Sequence, residues 1–282
     1  MLLKNFKERV IYYLIIFSTL VTVGILLWIF IFIVKNGILH LNLKFLLSNY
    51  SGDETGIFPM IINTLIVIAS TIMIAVPIGV STAIYLTEYA ENGRIILVVR
   101  FAVELLAGIP SIIYGLFGMV LFVTILNFNW SILSGTLTLG IMILPVIIRT
   151  TEEALISVPK EYREGSLSLG VSKIRTIIKV ILPSAKSGIL TGIILAMGRV
   201  SGETAAVYLT VGMVPRIAKS FLESGRTLSV HMYLLAKEGI SFEEAYATAT
   251  VLLLITLILN QMVKVVSRNE MNWGELWKIK MF

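Results

Sequence analysis

A chain of 282 residues with 57% hydrophobic residues, 14% charged residues and a mean hydropathy of +0.91 falls well short of the roughly 25% charge of a soluble domain, and its composition is that of an all-α, polytopic membrane protein. The net charge of +6 resides in short connections between apolar stretches, where it sets membrane orientation and does not call for nucleic acid. Zero cysteines exclude disulfides, thiolate metal sites and cysteine nucleophiles, and one aspartate (Asp53) with two histidines (His40, His231) leaves an acid–base or metal centre almost nothing but glutamates.

Lys4, Lys7 and Arg9 precede a first apolar run, about 10–34. It is too long for a signal-peptide core and is followed by no small-x-small cleavage site, so it reads as a retained span. The second span, about 57–87, contains Pro77 and Gly79, which in a helix bundle mark a kink whose freed backbone groups neighbours can satisfy. Leu105 to Ile148 has 44 residues without a basic group. About 20 residues cross a bilayer core, so this stretch must fold back once. The break is expected at Asn127-Phe128-Asn129-Trp130, two turn-forming amides beside an interfacial aromatic, giving spans 105–126 and 131–148. A fifth span, 188–212, is interrupted by Arg199 and Glu203, and a sixth covers 245–263.

With six spans and a cytoplasmic N-terminus, 16 basic residues fall inside, 6 outside, and Arg199 within a span. Segments 1–9 and 264–282 are therefore both expected in the cytoplasm. A tag fused after Phe282 should be reached only from the cytoplasmic side; labelling it from outside intact cells would refute the six-span topology.

The cytoplasmic connection 149–187 is long and punctuated by helix signals. Pro159 opens a short helix running to Leu169, with Glu161 and Glu164 in its N-terminal half and Gly170 as its stop. Tyr162, Gly165, Ser166 and Leu169 share one stripe, where small residues admit another protein. Ser172 is placed to cap a second helix. There Ile174, Ile177, Ile178 and Ile181 recur at helical spacing opposite Lys173, Thr176 and Lys179, as in a helix lying on a membrane surface, and Pro183 is expected to end it.

A charge inside a span is rarely kept without use. Arg199 and Glu203 are four residues apart and, in a continuous helix, share a face. One reading is an ion pair that only neutralises itself, in the less favourable order for that spacing. The other is an anion route, with Arg199 offering its forked donors to the oxygens of an anion and Glu203 holding the fork in place or opposing retention. The Gly108-Ile109-Pro110-Ser111 break is either a kink or part of a gate. His40 and His231, both expected outside, read as ordinary surface histidines.

Glu164-Gly165-Ser166, then Gly170 six residues after the glutamate, then Val180-Ile181-Leu182-Pro183 resembles the EAA loop of ATP-binding-cassette importer permeases, with Gly-Ser for Ala-Ala and Val for Ile. Glu88-Tyr89, the run Leu106 to Leu116, the run Leu144 to Glu153 and Gly198-Arg199-Val200-Ser201-Gly202-Glu203-Thr204 resemble the phosphate-transport permeases, and Arg149-Thr150-Thr151-Glu152-Glu153 points to the PstA type. This resemblance implies a type I importer permease fold in a bacterial or archaeal cytoplasmic membrane. It also implies a permease subunit that forms half of the pathway of an ATP-driven phosphate importer, with a PstC-type permease as heterodimeric partner, P-loop ATPase subunits and an extracytoplasmic phosphate-binding protein; the alternatives are that the chain is itself the PstC-type partner or that the cargo is another oxyanion, molybdate or sulfate. Tyr162, Glu164, Gly165, Ser166, Gly170, Leu182 and Pro183 are the implied ATPase-coupling residues. The chain has no G-x4-G-K-[ST] loop, so it is expected to bind no cofactor itself and to depend on a partner for ATP hydrolysis. A secondary carrier or channel would call for inverted repeats or a ring of pore residues, which the sequence does not display.

Overall fold

The computed structural model describes residues 6–51, 54–90 and 93–279. Residues 1–5 of the expected N-terminal segment, Asp53, and residues 280–282 of the tail lie outside the described residues.

Helix dominates, beside a small antiparallel ribbon that pairs Tyr50 with Thr55. The helices are α1 (Phe6–Ile38), α2 (Leu43–Leu47), α3 (Phe58–Ile84), α4 (Arg94–Gly108), α5 (Ser111–Gly118), α6 (Ile132–Ile156), α7 (Lys160–Ser168), α8 (Lys173–Thr176), α9 (Leu182–Gly202), α10 (Ala205–Thr210), α11 (Leu228–Lys237) and α12 (Phe242–Ile279). Wider π turns extend α3 through Tyr85–Tyr89 and α5 through Met119–Ile125, and join α8 to α9 through Ile177–Ile181. Among the described residues five helices are long and apolar enough to cross a membrane, or six where the bent pair α4–α5 counts as one span.

The first span is apolar all round and its membrane window buries nothing in the protein, as suits a helix solvated by lipid. It meets the bundle only near its end, against α12, where a Cβ on Gly37 would collide with the Tyr246 backbone and the Phe32 and Tyr246 rings stand edge to face at 5.7 Å. The core is built by α3, α6, α9, α10 and α11. Val67, Leu139, Ile143, Val200, Val207 and Val230 fill its middle, while Ala83, Leu86, Leu155, Val158, Ile177 and Ile181 form a separate cluster at the end of the bundle where α3 and α6 finish. Pro77 and Pro145 both lie inside helices that continue past them, as neighbouring helices permit in a bundle.

The expected hairpin turn forms where the asparagines stand. Asn127 and Asn129 both have φ of 54°, a left-handed conformation that asparagine accepts more readily than other residues with a side chain. Four boundaries differ from the sequence expectation. The span expected at 105–126 is two helices bent by 104°. Pro110 has no N–H and holds Ile109 extended (φ −73°, ψ 130°), and α4 begins already at Arg94. Its charges are taken up by the end of α6, with Glu104 at 2.8 Å from Arg149 and Arg100 at 3.4 Å from Glu152. Those partners lie in helix because α6 runs on to Ile156, so the connection expected from residue 149 starts only at Ser157. Pro183 does not end the second loop helix: backbone from Lys173 to Gly202 is one helical path. The π turn before it widens the helix where a proline would otherwise crowd the preceding turn. The fourth difference, a break after Gly202, falls within the expected fifth span.

At the end of the bundle where α3 and α6 begin, residues 211–227 are irregular but pinned. Asn63, fully buried in α3, donates to the Arg216 carbonyl (2.8 Å) and the Arg226 carbonyl (3.3 Å) and accepts from the Ala218 N–H (3.1 Å). The first N–H groups of α6, which no helix can satisfy internally, are met by the same loop, Ile132 by Glu223 (3.0 Å) and Leu133 by Phe221 (2.8 Å). Asn63→Leu should free this loop, since each buried group left without a partner costs about 1–3 kcal/mol. Limited proteolysis from the outer face should then cut between residues 213 and 227 several times faster than in the unchanged protein; equal rates would mean that the loop is held by other contacts.

Candidate translocation and coupling sites

Arg199 occupies the last turn of α9, half-buried. The helix ends three residues later, because Glu203 turns to extended backbone (ψ 124°). This removes the shared face on which an Arg199–Glu203 pair was expected. Glu203 is engaged elsewhere: its Oε1 accepts from the Ala206 N–H at 3.2 Å, in the first turn of α10, and its carbonyl accepts from the Ser229 hydroxyl at 2.8 Å. Among the described residues no ion pair joins the two. Nor does the Arg199 guanidinium donate a hydrogen bond to any described residue. The partial negative charge of the α9 C-terminus compensates it only in part, worth about half an elementary charge. Its polar surroundings include the hydroxyl of Tyr114, which itself donates to the Leu106 carbonyl at 2.7 Å and so ties α5 back across the Pro110 break. The break is therefore a fixed bend with its own brace.

The break after α9 is equally well braced. Thr227 and Ser229 share a hydrogen bond at 3.0 Å, the Leu228 N–H reaches Thr64 at 2.9 Å, and Thr256 donates to Ser201 at 3.0 Å. Hydroxyls of α3, α11 and α12 thus converge on the segment carrying Arg199 and Glu203. His231, expected at the surface, is buried in this region instead. Its Nδ1 lies 3.3 Å from Arg226 Nη1 and the Tyr50 ring stands edge-on at 5.2 Å. Burial, then the Arg226 charge, lower its pKa to about 3, so the ring is neutral at physiological pH. His40 is separate, with Nε2 at 3.2 Å from Glu243.

Beyond the end of α6, α7 follows Pro159 as expected and buries none of its residues. It closes in a Schellman arrangement: the Gly170 N–H bonds to the Leu167 carbonyl (2.9 Å) and the Val171 N–H to the Ser166 carbonyl (3.3 Å), with Gly170 at φ +76°. Tyr162 (53% exposed) and Leu169 (84%) project outward, Glu164 and Gly165 are also exposed, and a Cβ on Gly165 would meet nothing. Ser166 departs from that stripe, turning inward to Thr176 at 2.9 Å. Ser172 stands at the start of α8 but makes no side-chain cap. Of the four isoleucines, Ile177 and Ile181 enter the inner cluster while Ile174 and Ile178 are exposed, because the π turn rotates the stripe. Leu182 packs against the same cluster, and Pro183 is exposed.

One residue here escaped the sequence reading. Arg163 turns inward between the outward Tyr162 and Glu164, and its Nε (3.0 Å) and Nη2 (2.8 Å) both donate to Glu88 Oε1. Its Nη1 donates to the Val158 carbonyl (2.8 Å) and its Nη2 also to the Leu155 carbonyl (2.7 Å). The signal available was Glu88 itself, a carboxylate at the end of an apolar span and needing a cation nearby.

A family model described as the binding-protein-dependent transport system inner membrane component matches residues 75–270. The probable ABC transporter permease protein YqgI of Bacillus subtilis is 35% identical over 255 residues, 84% of this chain and 87% of that protein. The phosphate transport system permease protein PstA of Pasteurella multocida is 33% identical over 241 residues, 83% of this chain and 85% of that protein. Among solved structures, a bacterial alginate ABC transporter in complex with its alginate-pentasaccharide-bound periplasmic protein aligns over 94% of both chains at 15% identity, with a TM-score of 0.65. The inward-facing MetNI methionine ABC transporter aligns over 76% of this chain and 92% of that one, at 19% identity and a TM-score of 0.54; both likenesses are of fold. The family model spans most of the chain and relatives above 30% identity match over most of their own length, so this chain belongs to the binding-protein-dependent transport system inner membrane components.

Proposed function

We propose that inorganic phosphate is the cargo of this permease subunit, and that Arg199 meets it on the way through. The observation that carries the reading is the state of Arg199: a permanently charged fork on a spanning helix, not paired with Glu203 four residues on because Glu203 is committed to the break. A guanidinium matches phosphate oxygens two at a time, and a charge kept in a membrane span marks a functional site by default. Glu203 serves as the fixed point of the broken helix that presents Arg199. The phosphate permeases among the relatives point to the same anion.

A PstC-type permease forms the other half of the route, an extracytoplasmic phosphate-binding protein delivers the anion, and P-loop ATPase subunits engage α7 through Tyr162, Glu164 and Gly165. Gly170 sets the pitch of that helix, Ser166 anchors it to α8, and Leu182 with Pro183 carries it into α9. The chain binds no nucleotide of its own, lies in the bilayer and contacts no nucleic acid. The test is ATP-dependent uptake into membrane vesicles with and without this chain, comparing labelled phosphate with sulfate. Phosphate uptake should vanish without the chain and sulfate uptake should not depend on it; equal dependence of both would reassign the cargo.

A further inference from the structure

We infer that Arg163 is a positioning residue that makes α7 and the cytoplasmic end of α3 move as one piece. The inference rests on the reading that α7 receives an ATPase. A helix that is pushed can move the membrane spans only through what attaches it to them. No residue of α7 is buried, so apolar packing supplies little of that attachment. Polar links remain. Ser166 reaches Thr176 and thereby α8, the element next along the chain. Arg163 reaches further: its guanidinium binds Glu88 in the turn that ends α3, and the Val158 and Leu155 carbonyls at the end of α6.

The chemistry suits a strut. A planar guanidinium fixes the directions of all its donors at once, which an ammonium on a flexible stem does not. Glu88 is 8% exposed and Arg163 21%, so water competes weakly and the pair is screened little. The carbonyls it occupies belong to the last turn of α6 and the residues just past it, where helix carbonyls lack intrahelical partners and favour a cation. Glu88 sits in a π turn, a widened segment that recurs at places where helices change course. Beside it Lys173 lies 4.8 Å over the Tyr89 ring, a second and weaker tie between α8 and the same turn. Movement of α7 therefore has a short route to α3, whose other end carries Asn63 and with it the outer loop.

The test uses the whole importer purified through this chain and returned to vesicles, with Arg163→Gln, Arg163→Lys and Glu88→Gln compared. The outward face of α7 is untouched in all three, so the ATPase should stay bound. If Arg163 is the strut, ATP hydrolysed per phosphate moved should rise at least fivefold in Arg163→Gln, less in Glu88→Gln, and Arg163→Lys should restore little because one ammonium cannot reach Glu88 and both carbonyls. An unchanged ratio with the ATPase bound overturns the inference. A merely structural role would lower transport and hydrolysis together and leave the ratio alone, which also overturns it. Should the unchanged complex contain no ATPase, the docking reading fails by itself, and hydrogen exchange then judges the strut. Arg163→Gln must speed exchange at least tenfold in 160–168 and 85–89 while leaving 58–80 unaltered, and a uniform change or none refutes it. Glu88→Gln serves the same measurement where Arg163→Gln fails to insert.

Discussion

Arg199→Gln should lower ATP-driven phosphate uptake about a hundredfold or more, whereas Glu203→Gln should keep at least a third of it. The difference follows from what each side chain touches. Glutamine retains an oxygen that can accept from the Ala206 N–H, the bond Glu203 makes now, so the break after Gly202 survives loss of that charge. At Arg199 two charge-assisted hydrogen bonds to an anion would be lost, at about 1.5–3 kcal/mol each, and each 1.4 kcal/mol is about tenfold in rate. Arg199→Lys should fall between, since it keeps the charge but not the fork. Uptake of labelled phosphate into vesicles, normalised to inserted protein and to bound ATPase, decides the matter. Near-normal uptake by Arg199→Gln would remove Arg199 from the route; normal insertion lost in Arg199→Gln but not in Arg199→Lys would make it a structural cation.

Exchanging Arg199 and Glu203 would not separate pairing from transport, because the i, i+4 contact expected from the sequence is absent: the helix ends between the two residues. Hydropathy cannot reveal such a break. Residues 205–210 are as apolar as the turns before them and form a helix of their own, so the run reads as continuous although the backbone turns at Glu203. The same blindness works in reverse at α4. Arg94, Arg100 and Glu104 made that segment look like a water-exposed connection, but Glu104 and Arg100 are partnered by Arg149 and Glu152 from a helix 45 or more residues later. A window of neighbouring residues contains no information about a partner so distant. By contrast, the features that local chemistry dictates were legible: the two asparagines of the hairpin turn between α5 and α6, the uninterrupted first span, and the glycine that stops α7. Arg163 and Asn63 were not, since their roles lie entirely in contacts with other elements.

Gly170 offers the cleanest measure of how sharply α7 must be placed. Its φ of +76° lies where residues with a side chain are disfavoured, and a Cβ there would meet no other atom. Any penalty on substitution is therefore one of backbone conformation and not of crowding. For an ordinary L-residue that penalty is about 1–2 kcal/mol, larger for a β-branched one and smaller for asparagine. Because α7 buries nothing, it has little packing energy with which to hold a strained turn, and the chain beyond Leu169 should relax into another path. A shift of 1–2 kcal/mol changes a population by about 5- to 30-fold. Gly170→Val should accordingly cut both recovery of the ATPase with this chain and phosphate uptake by about fivefold or more, with membrane insertion normal. Gly170→Ala should do so less, and Gly170→Asn least. The order matters more than any single value: a loss that tracked side-chain volume, with asparagine worse than alanine, would point to a surface covered by the partner at this position, and a valine variant indistinguishable from the unchanged protein would mean that the ATPase does not depend on how α7 ends.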